Sequence, residues 1–427
     1  MKNFLSIIMC IAILSTCFAS CAVSDTISIE NHKVKTDASE IFLSGENVSD
    51  ISKIKKLKNL KKITMSQTSV SDLSPLAETD VEEVEFITAD FLSDISPLAE
   101  MKNLKALTIN GCIKILDFSV LENAQGLEKL TIIDSGIYNI DFLKNFENLK
   151  SLELKAKGVR DVSVISEMIS LEKLSLSGND LFGDTVLVSK LVNLKELKIP
   201  ECSIENISAL SSLKKLQKLD LSLNSIEDVS PLSQMTEMRE LTLTSNKVKD
   251  ISSLESMTKL EKLFLEGCSV GDLDVVKNFK NLNSLRISNN KISSFDSLSG
   301  LTALVELFAD NCGVSDISPL GNLQNLTYLQ LTGNKISDIS PLEGKTKLVQ
   351  LGLSHNNFED ASFLAEMKEL VTLDISYCQK VSDVHFASEL EKLAFLNLDG
   401  LPLDDKEVKH LRSHLTNCSV SFDKSEK

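Results

Sequence analysis

Apolar residues recur along most of this chain in pairs that are separated by one residue. In the segment 329–350 the pair is Leu329 and Leu331, and the next pair, Leu351 and Leu353, follows at the equivalent place of the next segment. Because alternate residues of a strand point to opposite faces, both leucines of a pair point inward and the residue between them points outward. Each pair therefore predicts a short strand with one buried side.

Seventeen such pairs follow one another at a nearly constant spacing of about 22 residues, the period of a leucine-rich repeat. One step is a single residue shorter and four are a single residue longer. The pairs are Ile41/Leu43, Ile63/Met65, Val84/Phe86, Leu107/Ile109, Leu130/Ile132, Leu152/Leu154, Leu174/Leu176, Leu197/Ile199, Leu219/Leu221, Leu241/Leu243, Leu263/Leu265, Leu285/Ile287, Leu307/Ala309, Leu329/Leu331, Leu351/Leu353, Leu373/Ile375 and Leu396/Leu398. One repeat cannot bury its apolar side alone, but stacked repeats can. The pattern predicts parallel strands about 4.8 Å apart along an arc of about 80 Å.

An aspartate recurs after the strand and marks the next turn. It lies seven residues after the second apolar residue in regular repeats, and eight residues after it in the four longer ones, so the extra residue belongs to the turn. Five copies read Asp-x-Ser-Pro, which predicts a capped helical turn with proline at its start. The aspartates are Asp50, Asp72, Asp94, Asp117, Asp161, Asp184, Asp228, Asp250, Asp272, Asp316, Asp338, Asp360 and Asp383.

Three residues after the second apolar residue lies a slot that holds asparagine or cysteine in many repeats. A buried amide in this slot can satisfy backbone groups that a sharp turn leaves unpaired. The asparagines are Asn179, Asn224, Asn246, Asn290, Asn334 and Asn356, and the cysteines are Cys112, Cys202, Cys268, Cys312 and Cys378. The nearest two cysteines are two strands apart, about 9–10 Å, which exceeds the reach of a disulfide. These cysteines are predicted to be buried thiols.

The repeated pattern L-x-x-L-x-L-x-x-N-x-I-x-D-I-x-P-L resembles the internalin-type leucine-rich repeat of bacterial surface proteins, over about residues 41–400. The resemblance implies an α/β solenoid, a leucine-rich-repeat arc of about 17 repeats, each of about 22 residues. Its parallel strands would line the concave face, and short 3-10 or turn segments would form the convex face. Members of that family bind host or other proteins on the concave face, so the resemblance implies a binding protein.

The N-terminus has the pattern of a secretory signal, with Lys2 followed by a mostly apolar stretch over residues 7–18. Residues 18–21, Phe-Ala-Ser-Cys, resemble a bacterial lipoprotein box, which implies lipidation of Cys21 after cleavage. Cys17 ends a rival box, and ordinary cleavage after Ala19 or Ala22 is the alternative. We expect export and a lipid anchor at the cell envelope or surface, with secretion as the alternative.

These observations divide the chain into a signal peptide over 1–20, a tether and N-terminal cap over 21–40, the array over 41–400 and a C-terminal cap over 401–427. In the last segment a helix is predicted from Asp404 to Leu415, and Val420 to Phe422 is a candidate closing strand. Terminal repeats need caps because the array otherwise ends in an exposed apolar layer.

The formal charge of −16 argues against a nucleic-acid partner, because an acidic surface repels phosphate backbones. Nucleic acid is therefore not an expected partner. We expect a monomer that binds a protein or a glycan on the concave face.

No catalytic constellation is apparent. Glu85, Glu153 and Asp220 fall several strands apart, beyond the spacing of paired glycosidase carboxylates. His410 and His414 share one side of the predicted helix, but a capping role explains them more simply than a metal does. The aspartates of adjacent repeats could share calcium, although turn capping also explains them. No cofactor or metal is assigned.

The outward residues of three successive strands form a candidate binding surface. Phe264, Arg286 and Phe308 each lie between the two apolar residues of a pair, and Tyr328 lies one position before the apolar pair of the next strand. Glu266 and Asp310 border the group. Exposed aromatic side chains beside arginine are typical of binding hot spots, and Arg286 can stack between the two rings. Cross-strand stacking that only stabilises the sheet is the alternative.

Three functions remain open from the sequence. The first is a ligand-binding or adhesion module, the second is an envelope lipoprotein whose array is only a spacer, and the third is a hydrolase that uses acidic residues of the face. A spacer has no need of exposed phenylalanines on adjacent strands, which favours the first.

Overall fold

The computed structural model describes residues 25–155, 158–178 and 185–423. An antiparallel pair, β1 (Thr26–Ile29) and β2 (His32–Lys35), precedes the array. The array is one parallel sheet of 18 strands in the order of the sequence, which confirms the predicted leucine-rich-repeat solenoid. The predicted signal peptide, Cys17 and Cys21 lie outside the described residues.

The strands of the sheet, β3 to β20 in chain order, are Glu40–Ser44, Lys62–Ser66, Glu83–Ile87, Ala106–Asn110, Lys129–Ile133, Ser151–Lys155, Lys173–Leu176, Glu196–Lys198, Lys218–Asp220, Glu240–Thr242, Lys262–Phe264, Ser284–Arg286, Glu306–Phe308, Tyr328–Gln330, Gln350–Gly352, Thr372–Asp374, Phe395–Asn397 and Ser419–Ser421. Equivalent residues of successive repeats pair across the sheet, so that Leu307 lies beside Leu329 and Leu329 beside Leu351. These leucines are fully buried.

Short helices return the chain along the opposite side of each repeat. One α-helical turn, α1, covers Ser74–Ala77. The 3-10 helices are Ser52–Lys56, Ser96–Glu100, Ser119–Asn123, Asp141–Asn145, Ser163–Glu167, Val186–Val188, Ser208–Ser212, Ser230–Leu232, Ser252–Leu254, Asp274–Asn278, Asp296–Leu298, Ser318–Leu320, Ser340–Leu342, Ser362–Glu366 and His385–Glu389. Proline lies in the first turn of the five helices where the sequence predicts it.

The aspartate column caps these helices. Oδ1 of Asp338 accepts a hydrogen bond of 2.9 Å from the backbone N–H of Ser340, and that bond lowers the pKa of the carboxyl. All twelve described aspartates of the column accept the same bond at 2.7–2.9 Å. Asn139, Asn206 and Ser294 replace aspartate in three further repeats and make an equivalent bond. Turn capping is therefore the observed role of this column.

The asparagine slot connects consecutive repeats. Nδ2 of Asn334 donates to the carbonyl oxygens of Ala309 and Leu331, and its Oδ1 accepts from the backbone N–H groups of Cys312 and Val314. Because the side chain is 6% exposed, these bonds satisfy backbone groups that water does not reach. The predicted role of the slot is confirmed.

Cysteine in the slot keeps one of these bonds. The thiol of Cys312 donates to the carbonyl oxygen of Ile287, which occupies the same relative position in the earlier repeat as the carbonyl that Asn334 reaches. Burial raises the pKa of the Cys268, Cys312 and Cys378 thiols to about 11. No disulfide joins the six cysteines within the described ranges, and the five in the slot are buried, as predicted.

The C-terminal segment covers the last apolar layer. Helix α2 spans Asp405–His414, and the side chain of Asp404 accepts a hydrogen bond from the N–H of Glu407 at its start. The strand β20 then pairs in parallel with β19, so that Val420 lies beside Leu396. Among the described residues no helix has the length and apolarity to cross a membrane.

Candidate concave-face site

Three columns of side chains run across the strands on the exposed face of the sheet. The central column contains the residues between paired apolar positions, such as Phe264 and Arg286, and the leading column contains the residues two positions earlier, such as Lys262 and Ser284. The trailing column contains the residues two positions after the central one, such as Glu266. Since strands pair in register, neighbours within a column lie about 4.8 Å apart.

Phe264, Arg286 and Phe308 form a continuous sandwich in the central column, which we call the aromatic–arginine cluster. Arg286 pairs with both phenylalanines across the sheet. Its guanidinium carbon lies 4.9 Å from the ring centroid of Phe264 and 4.7 Å from that of Phe308. The stacking that the sequence predicted for Arg286 is thus observed, and it holds a cation between two aromatic faces.

Glu306 of the leading column fixes the orientation of Arg286, and sequence reasoning missed it. Its carboxylate accepts hydrogen bonds from Arg286 Nε at 2.7 Å and from Ser284 Oγ at 2.9 Å, and its Oε1 lies 2.5 Å from Arg286 Nη2. The Arg286 side chain remains 36% exposed, against 19% for Glu306. The sequence does contain a signal for this contact, because a glutamate of the leading column lies on the strand that follows the strand of the arginine.

Two carboxylates of the trailing column border the cluster, as the sequence indicated. Glu266 accepts a hydrogen bond from Thr244 Oγ1 at 3.1 Å, and Asp310 accepts one from the backbone N–H of Thr332 at 2.8 Å. Burial raises the pKa of Asp310. With Glu306, three carboxylates therefore belong to the two repeats on either side of the one that carries Arg286.

Tyr328 lies beside Glu306 in the leading column and is 40% exposed. The register places it one strand beyond Phe308 and one column aside from it. All four predicted site residues therefore lie on adjoining strands of one face, with Glu306 between Arg286 and Tyr328.

From Lys173 to Lys262 the leading column consists of lysine and glutamate side chains that form ion pairs with one another. Glu240 lies between Lys218 and Lys262, at 3.0 and 3.3 Å, and Lys173 lies 3.6 Å from Glu196. Exposed pairs of this kind contribute little stability, but they neutralise the face. The aromatic–arginine cluster begins at the strand where these charged pairs end.

A second exposed apolar surface, which the sequence analysis did not identify, lies in the loops that follow β6 and β7 in the N-terminal half of the array. Ile113, Leu116 and Tyr138, here called the loop-edge surface, are 63%, 60% and 65% exposed. A groove of about 320 Å³ beside them is lined by residues that include Asp117 and Phe142. Ile113 and Leu116 belong to one of the four longer repeats, so the extra turn residue was the sequence signal that could have pointed to this surface.

A family model of leucine-rich repeats in two copies matches residues 214–256 and 302–344. No sequence among the curated proteins matches the chain. Solved structures match along most of its length. A leucine-rich-repeat protein of Leptospira interrogans is 23% identical, with 88% of this chain and 93% of that chain covered and a TM-score of 0.68.

Two further solved structures, one bacterial and one from a plant, match the chain at lower identity. The functional domain of InlJ from Listeria monocytogenes, which includes a cysteine ladder, is 18% identical, with 86% of this chain and 75% of that chain covered and a TM-score of 0.61. The ectodomain of an Arabidopsis thaliana receptor kinase, in complex with Casparian strip integrity factor 2, is 18% identical, with 85% and 49% covered and a TM-score of 0.66. At these identities the likeness establishes the fold, and the resemblance to internalin-type repeats is confirmed at that level.

Proposed function

We propose that this leucine-rich-repeat solenoid binds a protein partner on its concave face, with the aromatic–arginine cluster and Tyr328 at the centre of the contact. The single observation that carries the proposal is the sandwich of Arg286 between Phe264 and Phe308. Aromatic and arginine side chains dominate the energetics of protein interfaces, where they are buried at the centre of the contact. The fold, shared with a plant receptor-kinase ectodomain solved in complex with Casparian strip integrity factor 2, supports a binding role.

The strands under the cluster hold it in place before any partner arrives. Phe264, Arg286 and Phe308 project from adjacent paired strands, and Glu306 holds the guanidinium by two N–H groups. A surface that is already ordered loses little side-chain entropy on binding. This pre-organisation favours recognition over a spacer role.

The charges around the cluster indicate the chemistry of the partner. Glu266, Glu306 and Asp310 outnumber the two cations, Lys262 and Arg286, in the three columns of the repeats that carry the cluster. A partner segment that carries lysine or arginine beside an apolar residue complements this surface, because the basic group meets carboxylates and the apolar group meets the rings. The same excess of acid opposes a nucleic-acid ligand.

The test begins with capture of partners by the purified protein from bacterial-envelope and host-surface extracts. The affinity of a captured protein is then measured for the wild type, for the double variant Phe264→Ala with Phe308→Ala, and for the control Phe42→Ala. Phe42 is a suitable control because it is a central-column phenylalanine of the same face, 58% exposed, on the first strand of the array.

We expect the double variant to bind about tenfold more weakly or worse, and Phe42→Ala to bind within about twofold of the wild type. Circular dichroism checks that each variant folds. Full affinity in a folded double variant would show that the cluster is not part of the interface. A complete lack of saturable binders in both extracts would favour the spacer role.

The proposal includes export and attachment to the cell envelope through lipid on Cys21. The apolar stretch before Cys21 and the lipoprotein-like box support it. Mass spectrometry of the N-terminal peptide from native cells tests this point. A diacylglyceryl mass on Cys21 is expected, whereas an unmodified N-terminus at Ser20 or Val23 in the culture medium would indicate secretion.

A further inference from the structure

The last long repeat and the capping helix bring imidazole and carboxylate groups together. Asp383 and His385 lie at the start of the 3-10 helix His385–Glu389, and Glu407 lies in α2. His385 Nδ1 is 2.8 Å from Asp383 Oδ1 and 4.0 Å from Glu407 Oε1. One donor atom from each of the three residues lies within 4.8 Å of the other two.

His410 adds a second imidazole from the same helix. It follows Glu407 by three residues, so both side chains lie on one side of α2. His410 and Glu407 line a common groove with His385, and the ring centroids of the two histidines are 6.3 Å apart. His385, Glu407 and His410 therefore face one another across this groove, and Asp383 lies beside His385.

We propose that Asp383, His385, Glu407 and His410, here called the cap cluster, form a binding site for a divalent transition-metal ion such as zinc. Imidazole and carboxylate donors are the ligands that zinc uses beside thiolates. Donors about 2.1 Å from a tetrahedral ion lie about 3.4 Å from one another. For Asp383, His385 and Glu407 the observed separations of 2.8 and 4.0 Å bracket that value. His410, whose ring centroid lies 6.3 Å from that of His385, must turn further to become the fourth ligand.

The surroundings allow those rotations. The side chains of Asp383 and His385 are 78% and 68% exposed, so neighbouring residues leave both of them room to rotate, whereas Glu407 is 21% exposed and is held by the helix. Asp383 Oδ1 accepts the capping bond from the N–H of His385, which leaves its second oxygen for an ion. A partly buried glutamate on a helix supplies a rigid point on which the adjustable ligands can converge.

The cluster differs from the histidine pair that the sequence suggested. His414 lies beside His410, with ring centroids 4.4 Å apart, but its Nδ1 is 3.0 Å from the carbonyl oxygen of His410 on the same helix. In the proposed site His410 acts with His385, which belongs to an earlier repeat and lies near it only in the folded protein. His414 therefore provides a matched control.

A bound ion would join the turn of the last long repeat to the helix that covers the end of the array. Ligand binding to the folded state alone raises its stability by mass action. Zinc is therefore expected to raise the melting temperature of the protein. Calcium is not, because calcium prefers six to eight oxygen ligands and the cluster supplies two carboxylates and two imidazoles.

The experiment is isothermal titration calorimetry of zinc chloride into the purified protein at neutral pH, with no affinity-tag histidines. We expect saturable binding of one ion per chain. His385→Ala and Glu407→Gln are each expected to weaken it by about tenfold or more, while His414→Ala leaves it unchanged. Melting curves with and without zinc for the same variants show whether the ion acts through the cap.

A measurement on the unaltered protein avoids any dependence on variant folding. Zinc is expected to protect His385 and His410, but not His355, from modification by diethylpyrocarbonate, as read by peptide mass spectrometry. The proposal is overturned by the absence of saturable zinc binding up to about 100 μM. It is overturned equally if His385→Ala binds as the wild type does, or if zinc leaves the modification of His385 and His410 unchanged.

Discussion

The two halves of the array hold neighbouring repeats together in different ways. From β10 to β19 the strands have three residues, and the described slot residues are asparagine or cysteine up to Cys378. From β3 to β8 the strands have five residues, and the described slot residues are Glu46, Thr68, Ala89, Cys112 and Ser135. The C-terminal half thus carries a side-chain ladder that ties each repeat to its neighbours, and the N-terminal half relies on longer strands.

The difference is visible in hydrogen bonding. Asn246 and Asn356 bond carbonyl oxygens of two repeats from one amide, in the manner of Asn334. The hydroxyl oxygens of Thr68 and Ser135 occupy the same slot, and both are buried without a hydrogen-bond partner among the described residues. The aromatic–arginine cluster lies in the half whose slot holds asparagine or cysteine.

The largest expected effect comes from breaking the ladder. Asn334→Ala removes an amide that makes hydrogen bonds to five backbone groups and leaves them without this partner. We expect the free energy of unfolding to fall by about 3 kcal/mol, measured by urea denaturation. Ser135→Ala is the matched control in the other half and is expected not to lower stability, because its buried hydroxyl has no hydrogen-bond partner among the described residues. Equal losses in both variants would show that the two halves do not differ.

A smaller effect is expected at Lys345, where the C-terminal half departs from its own pattern. Its ammonium group is buried and donates to the carbonyl oxygens of Gly321 and Leu323. Burial lowers the pKa of Lys345, because the charged form is desolvated. Lys345→Met is expected to raise the free energy of unfolding by about 1–2 kcal/mol at pH 7.

The pH dependence of this gain follows from the direction of the shift. With a lower pKa in the folded state, the cost of the charged lysine is fully present below the folded pKa and disappears as pH rises towards the unfolded pKa. The advantage of Lys345→Met should therefore shrink between neutral and strongly alkaline pH. An advantage that stays constant over that range would mean that charge burial is not its cause.

The smallest expected effect is a repair in the N-terminal half. Thr68→Val replaces the unpartnered hydroxyl with a methyl group of similar size, so the cost of a buried unsatisfied group is removed. We expect the free energy of unfolding to rise by about 1 kcal/mol, measured by the same urea titration. A loss of stability would show that the Thr68 hydroxyl has a partner, such as bound water.

Most of the fold follows from the sequence because each repeat is governed by local periodicity. The spacing of paired apolar residues sets the register, so Arg286 is placed between Phe264 and Phe308 by counting alone. Asp338 caps its turn through a contact two residues away, which is also readable from the sequence. Such features need no knowledge of distant contacts.

The features that sequence analysis missed depend on contacts between columns or between elements. Glu306 reaches Arg286 diagonally across the sheet, from the next repeat. The strands β1 and β2 are short and have no repeat to mark them. His385 and His410 meet because α2 docks against the turn of an earlier repeat, and no periodicity in the chain encodes that docking.

The central claim, that the concave aromatic–arginine cluster binds the partner, is tested most directly by hydroxyl-radical footprinting of the protein with and without a captured partner. The account predicts protection of Phe264, Phe308 and Tyr328, while Phe42 and the loop-edge residue Tyr138, both exposed, remain as reactive as in the free protein. Protection of Tyr138 with Phe264 and Phe308 unprotected would contradict it and move the binding surface to the loop edge.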